Sequence, residues 1–325
     1  MRIVITGGAG FLGNRLAQAI LTRGRLTDAT GREREVRTVV LVDVAAPRVW
    51  SDERIETVGG DLADPALLGK VITSDTDSVF HLAAVVSGQA EADFDIGMKV
   101  NLDVTRGLLE HCRACASPPR FVFTSSLAVF GGNLPSPVPD HSALTPQSSY
   151  GTQKAIGELL VYDMSRKGFI DGRSLRLPTV TVRPGKPNKA ASSFASGIIR
   201  EPLAGVEAIC PVGRDTRMWV QSPQSVIDNL LVGHEVPADR FTHSRSINVP
   251  GITVAVGDMV DALRRVAGDE VAARVRWEFD PAIDRIVSTW PAVFAPKFGE
   301  SLGMRADESF ERIVRAYCDD VAAGR

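Results

Sequence analysis

The run Arg2-Ile3-Val4-Ile5-Thr6 leads without a break into Gly7-Gly8-Ala9-Gly10-Phe11-Leu12-Gly13, and a helical pattern begins at once. Leu12, Leu16, Ala19 and Ile20 recur at helical spacing, so the glycines occupy a strand-to-helix turn. Such a turn has a physical use. One glycine makes the tight bend, one lets the backbone approach a pyrophosphate, and one lets helix and sheet pack closely. The helix N-terminus then faces the anion. A second apolar, β-branched run, Arg37 to Val42, ends at Asp43. A carboxylate there can bind both ribose hydroxyls of NAD and repels the extra phosphate of NADP. The interval from the glycines to Asp43 is long, and the polar stretch Arg25 to Glu35 reads as an inserted surface loop.

Strand and helix signals alternate from there to about residue 180. A third strand is expected near Ile55 to Val58, followed by Gly59-Gly60-Asp61-Leu62 and a helix near Pro65 to Ile72. A fourth strand, Ser78 to Leu82, opens into His81-Leu82-Ala83-Ala84, whose small residues let a flat cofactor pass close to the backbone. A helix over Val100 to Cys115 contains Asn101, and a fifth strand, Phe121 to Thr124, ends at Ser125-Ser126. A helix from Tyr150 to about Lys167 and a strand from Ser174 to Val182 follow. This alternation predicts an α/β fold, a Rossmann-type doubly wound parallel sheet with right-handed crossovers, whose ligands bind at the carboxyl ends of the strands.

Beyond Pro184 proline, glycine and short elements dominate, with strands expected near Glu207 to Pro211 and Ser244 to Val249 and helices near Ser222 to Gly233 and Val256 to Val266. The expected organisation is an NAD-binding domain over 1–183, its sheet partly completed from 225–250, and a smaller mixed substrate-binding lobe over 184–325.

Tyr150 and Lys154 stand one turn apart on the same helix face, which sets an ammonium beside a phenol. A phenol with a pKa of about 10 is a poor base at neutral pH, and a neighbouring cation lowers it. A serine hydroxyl from the Ser125-Ser126 strand end can hold a substrate oxygen against the tyrosine. The bland alternative is a helix with a buried tyrosine and a snorkelling lysine.

Other function classes find little support. The net charge of −2 is spread through the chain and leaves no basic stripe for nucleic acid. No apolar run of about eighteen residues is present to span a membrane, and the chain opens directly on its first strand, so no signal peptide and a cytoplasmic location are expected. Cys112 and Cys115 lie near His111 with no complementary Cys or His pair, so no metal is expected.

Taken together, Thr6 to Gly13, Asp43, Gly60-Asp61-Leu62, His81 to Ala84, Asn101, Ser125-Ser126 and Tyr150-x-x-x-Lys154 resemble the extended short-chain dehydrogenase/reductases, in their NAD-dependent epimerase/dehydratase branch. The resemblance implies that Tyr150 is the acid/base, that Lys154 lowers its pKa and holds the nicotinamide ribose, and that Ser126, with help from Ser125, binds the reacting oxygen. It implies a dinucleotide site of Gly7, Gly10, Phe11, Leu12, Gly13 and Asp43, with Asp61 and Leu62 beside the adenine. Leu82, Ala83, Ala84 and Asn101 would continue that site, and Pro178 and Val180 would flank the nicotinamide carboxamide. A homodimer packed through the Asn101 and Tyr150 helices is implied as well.

Departures from the branch carry the substrate information. Val129-Phe130-Gly131 lacks the usual tyrosine, and Arg176 to Asn188 replaces an Asn-x-Tyr-Gly-Pro run. That segment, Ala190 to Gly197, and Gly151 to Ala155 resemble the D-erythronate dehydrogenase subgroup, which implies oxidation of D-erythronate to 2-dehydro-D-erythronate. From the residues themselves, Arg183 can grip a carboxylate through two parallel hydrogen bonds, and Asn188 and Ser192 can hold hydroxyls; the resemblance sets Thr179, between Pro178 and Val180, beside the nicotinamide and the substrate. Solvated charge at Arg176, Arg183, Lys186 and Lys189 is the plain alternative. Two other functions stay open: a nucleotide-sugar 4-epimerase or dehydratase, and a non-catalytic NAD-binding regulatory protein. The missing nucleotide-sugar run argues against the first, and intact Ser126, Tyr150 and Lys154 argue against the second.

Overall fold

The structure is a computed structural model that describes residues 1–45, 49–187, 190–241 and 244–323. Seven parallel strands form the main sheet, in the spatial order Ser246–Asn248, Asp171–Leu177, Arg120–Ser126, Thr76–His81, Arg2–Thr6, Thr38–Asp43, Ile55–Gly59. The order reverses at Arg2–Thr6, whose last residue is in register with Val42 on one side and His81 on the other. A crevice opens at such a switch point. Successive residues of the first strand face opposite sides of the sheet: Ile3 and Ile5 join a core with Leu16, Ile20, Leu175 and Leu230, and Val4 joins another with Val42, Leu108 and Phe121. Burial on both faces explains why these strands read as continuous apolar runs rather than alternating ones.

The second half builds its own core from Phe194, Ile198, Met218, Val256, Leu263 and Phe310, among others. It contains a three-stranded sheet in which Arg217–Gln221 lies between Thr179–Val180 and Ile252–Ala255.

Several expectations need correction. The single strand expected over Ser174 to Val182 is two: Asp171–Leu177 ends in the main sheet, and Thr179–Val180 belongs to the smaller one. Pro178 sits at the break, where its missing N–H cannot continue the ladder. The inserted loop contains an antiparallel hairpin, Arg25–Thr27 with Glu33–Glu35. Asp28 closes its turn by accepting the Thr30 and Arg32 N–H groups at 2.9 and 3.1 Å, and Thr27 anchors it by donating its hydroxyl to Glu235 at 2.5 Å. Strands of three residues each are too short to show a period. The helix expected from Val100 begins instead as a π-helical stretch, Met98–Asp103, and continues as Val104–Arg113. The helix Ser193–Leu203 was not expected at all.

Candidate active site

At the turn after the first strand, close approach explains the glycines. A Cβ on Gly13 would stand 2.2 Å from the Gly7 carbonyl oxygen, and Gly7 itself has φ +71° with the Ala83 nitrogen 2.9 Å from where its Cβ would be. The helix Phe11–Arg23 starts at Gly10, which offers no side-chain cap, and has no acidic residue in its first turn. Its leading N–H groups therefore remain available to an anion. Asp43 lies against this turn, where its carboxylate accepts the Ala9 N–H at 3.0 Å and the Ala45 N–H at 3.2 Å.

Ser126, Tyr150 and Lys154 meet where Arg120–Ser126 ends and Ser149–Arg166 begins. Ser148 caps that helix by accepting the Gly151 N–H at 3.1 Å. A Cβ on Gly151 would fall 2.0 Å from the Ala128 carbonyl oxygen, so the glycine after Tyr150 lets the helix press against the turn that follows Ser126. The Ser126 hydroxyl, which accepts the Ala128 N–H at 3.1 Å, lines the same cleft as Tyr150 and acts on its phenol. Burial pushes the phenol up to about 12, against the Ser126 hydroxyl and the positive charge of Arg183. Lys154 donates to the Thr124 carbonyl at 2.8 Å, with its ammonium 5.7 Å from the centre of the Tyr150 ring. Burial draws Lys154 down to about 7, and Glu158 opposes that fall. The positive charge of Arg183, on the cleft wall with Tyr150, is a second influence towards the phenolate beside the Lys154 ammonium that the sequence sets one turn away.

These groups open into one cleft of about 590 Å³, lined on the glycine-turn side by Phe11, Leu12, Leu82 and Ala84, and near Tyr150 by Pro178, Thr179, Val180, Arg183 and Ser192. Arg183 is held by its backbone: its N–H donates to Ser196 at 3.0 Å and its carbonyl accepts from Arg200 at 2.8 Å. Among the described residues no carboxylate pairs with its guanidinium, and burial together with the Arg200 charge lowers its pKa.

Residues 3–223 match the description of the NAD dependent epimerase/dehydratase family. The chain belongs to that family. It is 54% identical to a D-erythronate dehydrogenase of Cupriavidus necator over 325 residues, all of both chains. It is 43% identical to a D-erythronate dehydrogenase of Haemophilus influenzae over 98% of this chain and 99% of that one. A crystal structure titled as a nucleoside-diphosphate-sugar epimerase from Agrobacterium tumefaciens superposes with a TM-score of 0.92 at 41% identity, covering all of this chain and 95% of that one.

As a member of the epimerase/dehydratase family the chain uses NAD, and the glycine cradle with its uncapped helix start suits a dinucleotide. Asp43 stands beside the glycine turn, where it accepts the Ala9 N–H. NAD is expected to exceed NADP in kcat/KM by roughly 10- to 150-fold, the worth of a charge-assisted hydrogen bond of about 1.5–3 kcal/mol. Parallel absorbance assays with the two cofactors check this, and equal efficiencies would show that Asp43 points elsewhere.

Other expected site residues are placed differently. Asn101 is 1% exposed, accepts the Val85 N–H, and donates to the Val85 carbonyl and to Gln153, so its amide braces the stretch after the fourth strand rather than reaching a dinucleotide. Ser125 is buried and lines the cleft, but its hydroxyl donates to Glu158 at 2.5 Å, so its proton is already engaged. The Leu62 side chain packs into the core with Val42 and Leu68, leaving mainly its backbone for a ligand, and Asp61 is exposed and paired with Lys99 at 3.3 Å. Asn188 lies outside the described residues. Arg217, Trp219, Arg285 and Trp290 also line the cleft, and no motif marks them in the sequence.

Proposed function

We propose that this chain oxidises the hydroxyl next to the carboxylate of a small sugar acid, D-erythronate to 2-dehydro-D-erythronate, with NAD. The observation that carries the proposal is Arg183, which lines the same cleft as Tyr150 and Ser126 and makes no ion pair with a carboxylate among the described residues. A 2-hydroxy acid presents its carboxylate one bond from the reacting carbon, so anion grip and proton removal must be neighbours. Arg183 takes the carboxylate by paired hydrogen bonds. Ser126 steadies the hydroxyl oxygen, and Tyr150 as phenolate removes its proton. When bound, NAD supplies the hydride acceptor. Lys154, held by the Thr124 carbonyl, keeps further donors for the nicotinamide ribose.

The test is a panel of four- and five-carbon sugar acids and UDP-sugars, followed by NADH absorbance and product analysis. NADH formation with D-erythronate is expected. The name of the Agrobacterium structure, together with Arg217 and Arg285 on the cleft wall, favours a nucleotide-sugar epimerase as second reading. UDP-sugar turnover with inert sugar acids would select it.

The proposed division is a dinucleotide-binding part over 1–183, supplemented by Ser246–Asn248 in its sheet, and a substrate lobe over 184–325. We also propose a homodimer through the helices near Asn101 and Tyr150, where Phe94, Leu159 and Tyr162 are exposed. Sedimentation equilibrium is expected to give twice the 34.9 kDa chain mass, and a Leu159→Arg variant to give the monomer.

A further inference from the structure

A buried ion pair lies beside the reaction centre and takes no part in the chemistry described above. Glu158 is one turn beyond Lys154, as Lys154 is one turn beyond Tyr150, so all three share a face of the helix Ser149–Arg166. Arg176 clamps the Glu158 carboxylate, with Nε 3.0 and 3.1 Å from its two oxygens and Nη2 2.7 Å from Oε2, and Ser125 donates to Oε1 at 2.5 Å. Arg176 also donates to Asn248 at 3.2 Å and stacks 4.9 Å over the Phe130 ring. Ser125, Lys154, Glu158, Arg176 and Asn248 are all buried. Apolar residues of similar volume are often as stable as such a pair, so stability alone does not account for a carboxylate here.

The surroundings of Lys154 single out Glu158. From Arg120–Ser126 come the Thr124 carbonyl and the Phe123 ring, 4.7 Å from the ammonium. From Thr76–His81 comes His81, which burial and the Lys154 charge hold neutral, down to about 3. On its own helix stand the Tyr150 ring and Glu158. Arg183 acts on the far side of Tyr150, and Arg176 is engaged by Glu158. Glu158 is the carboxylate that acts on Lys154.

We propose that Glu158, clamped by Arg176 and Ser125, is a positioning residue that supplies the counter-charge for the buried Lys154 ammonium during turnover. The inference rests on the reading of Tyr150 as base. With the phenol at about 12 and the ammonium at about 7, the form carrying phenolate and ammonium together increases with pH up to the Lys154 midpoint and then levels. Removing the carboxylate lowers that midpoint. The plateau then starts at lower pH and is lower, tenfold for each pH unit by which the midpoint falls.

The experiment is a pH titration of lysine labelled with ¹³C at Cε, with the Lys154 signal assigned by its loss in Lys154→Met, run beside the pH profile of kcat/KM. In Glu158→Gln the Lys154 midpoint is expected to fall by about 1 to 3 pH units. The lower break of the profile should fall by the same amount. Because that variant strands a buried guanidinium, whose charge lowers the midpoint further, the double variant Glu158→Gln/Arg176→Met, neutral at both positions, is measured as well, and its midpoint should fall in the same direction by less. Glu158→Asp keeps both charges, withdraws the carboxylate, and should move the midpoint in the same direction by less. An unmoved Lys154 midpoint in any of these folded variants overturns the proposal. A lowered midpoint alongside normal turnover in Tyr150→Phe would remove the base and leave the counter-charge standing; an unmoved midpoint with an inactive Tyr150→Phe would do the reverse.

Discussion

Tyr150→Phe is expected to lose about two to four orders of magnitude in turnover while NAD affinity stays within about twofold. The substitution removes one oxygen and keeps the ring, and the contact between Gly151 and the Ala128 carbonyl that seats this turn of the helix is untouched. Ser126 would still hold the substrate hydroxyl, but nothing beside it could accept the proton. Turnover is read from NADH absorbance and affinity from a fluorescence titration with NAD. Near-normal turnover would mean that another group, with Lys154 the nearest, removes the proton. A variant that loses NAD affinity in step with turnover would place Tyr150 in cofactor binding alone.

Arg183→Ala is expected to raise the KM for the sugar acid by roughly 10- to 150-fold, corresponding to about 1.5–3 kcal/mol for a charge-assisted contact. It should also lower kcat, because the Arg183 charge is one of the influences holding the Tyr150 phenol down, and without it less phenolate forms. NAD affinity should barely change, since the dinucleotide cradle is built from Gly7, Gly13 and the helix start at Gly10. Arg183→Lys should recover part of the kcat effect and little of KM: an ammonium restores charge near the phenol but not the planar two-point grip. Unchanged kinetics in Arg183→Ala would remove the carboxylate clamp and with it the strongest physical argument for a 2-hydroxy acid.

Much of this site is written locally in the chain. The glycine turn is legible because its constraint is steric and falls within seven residues, at Gly7 and Gly13 above all, where a Cβ has no room. The pairing of Tyr150 with Lys154 is legible because four residues along a helix always return to the same face. Asp43 could be placed because a strand end is marked by where its apolar run stops.

Other features required the folded chain. Ser125 and Ser126 are neighbours of the same type, and consecutive strand residues point to opposite faces, so register against Asp171–Leu177 and the Tyr150 helix decides which hydroxyl reaches the phenol and which reaches Glu158. Asn101 looked available to a ligand until the backbone of Val85 and the side chain of Gln153 were brought against it. The clamp of Arg176 on Glu158 joins a helix to a strand, and Arg217, Arg285 and Trp290 enter the cleft from parts of the chain far from Tyr150. Sterics and periodicity act over a few residues and leave a signature in the sequence. The partner of a buried polar group depends on how strands align and helices dock, and only the assembled tertiary structure determines it.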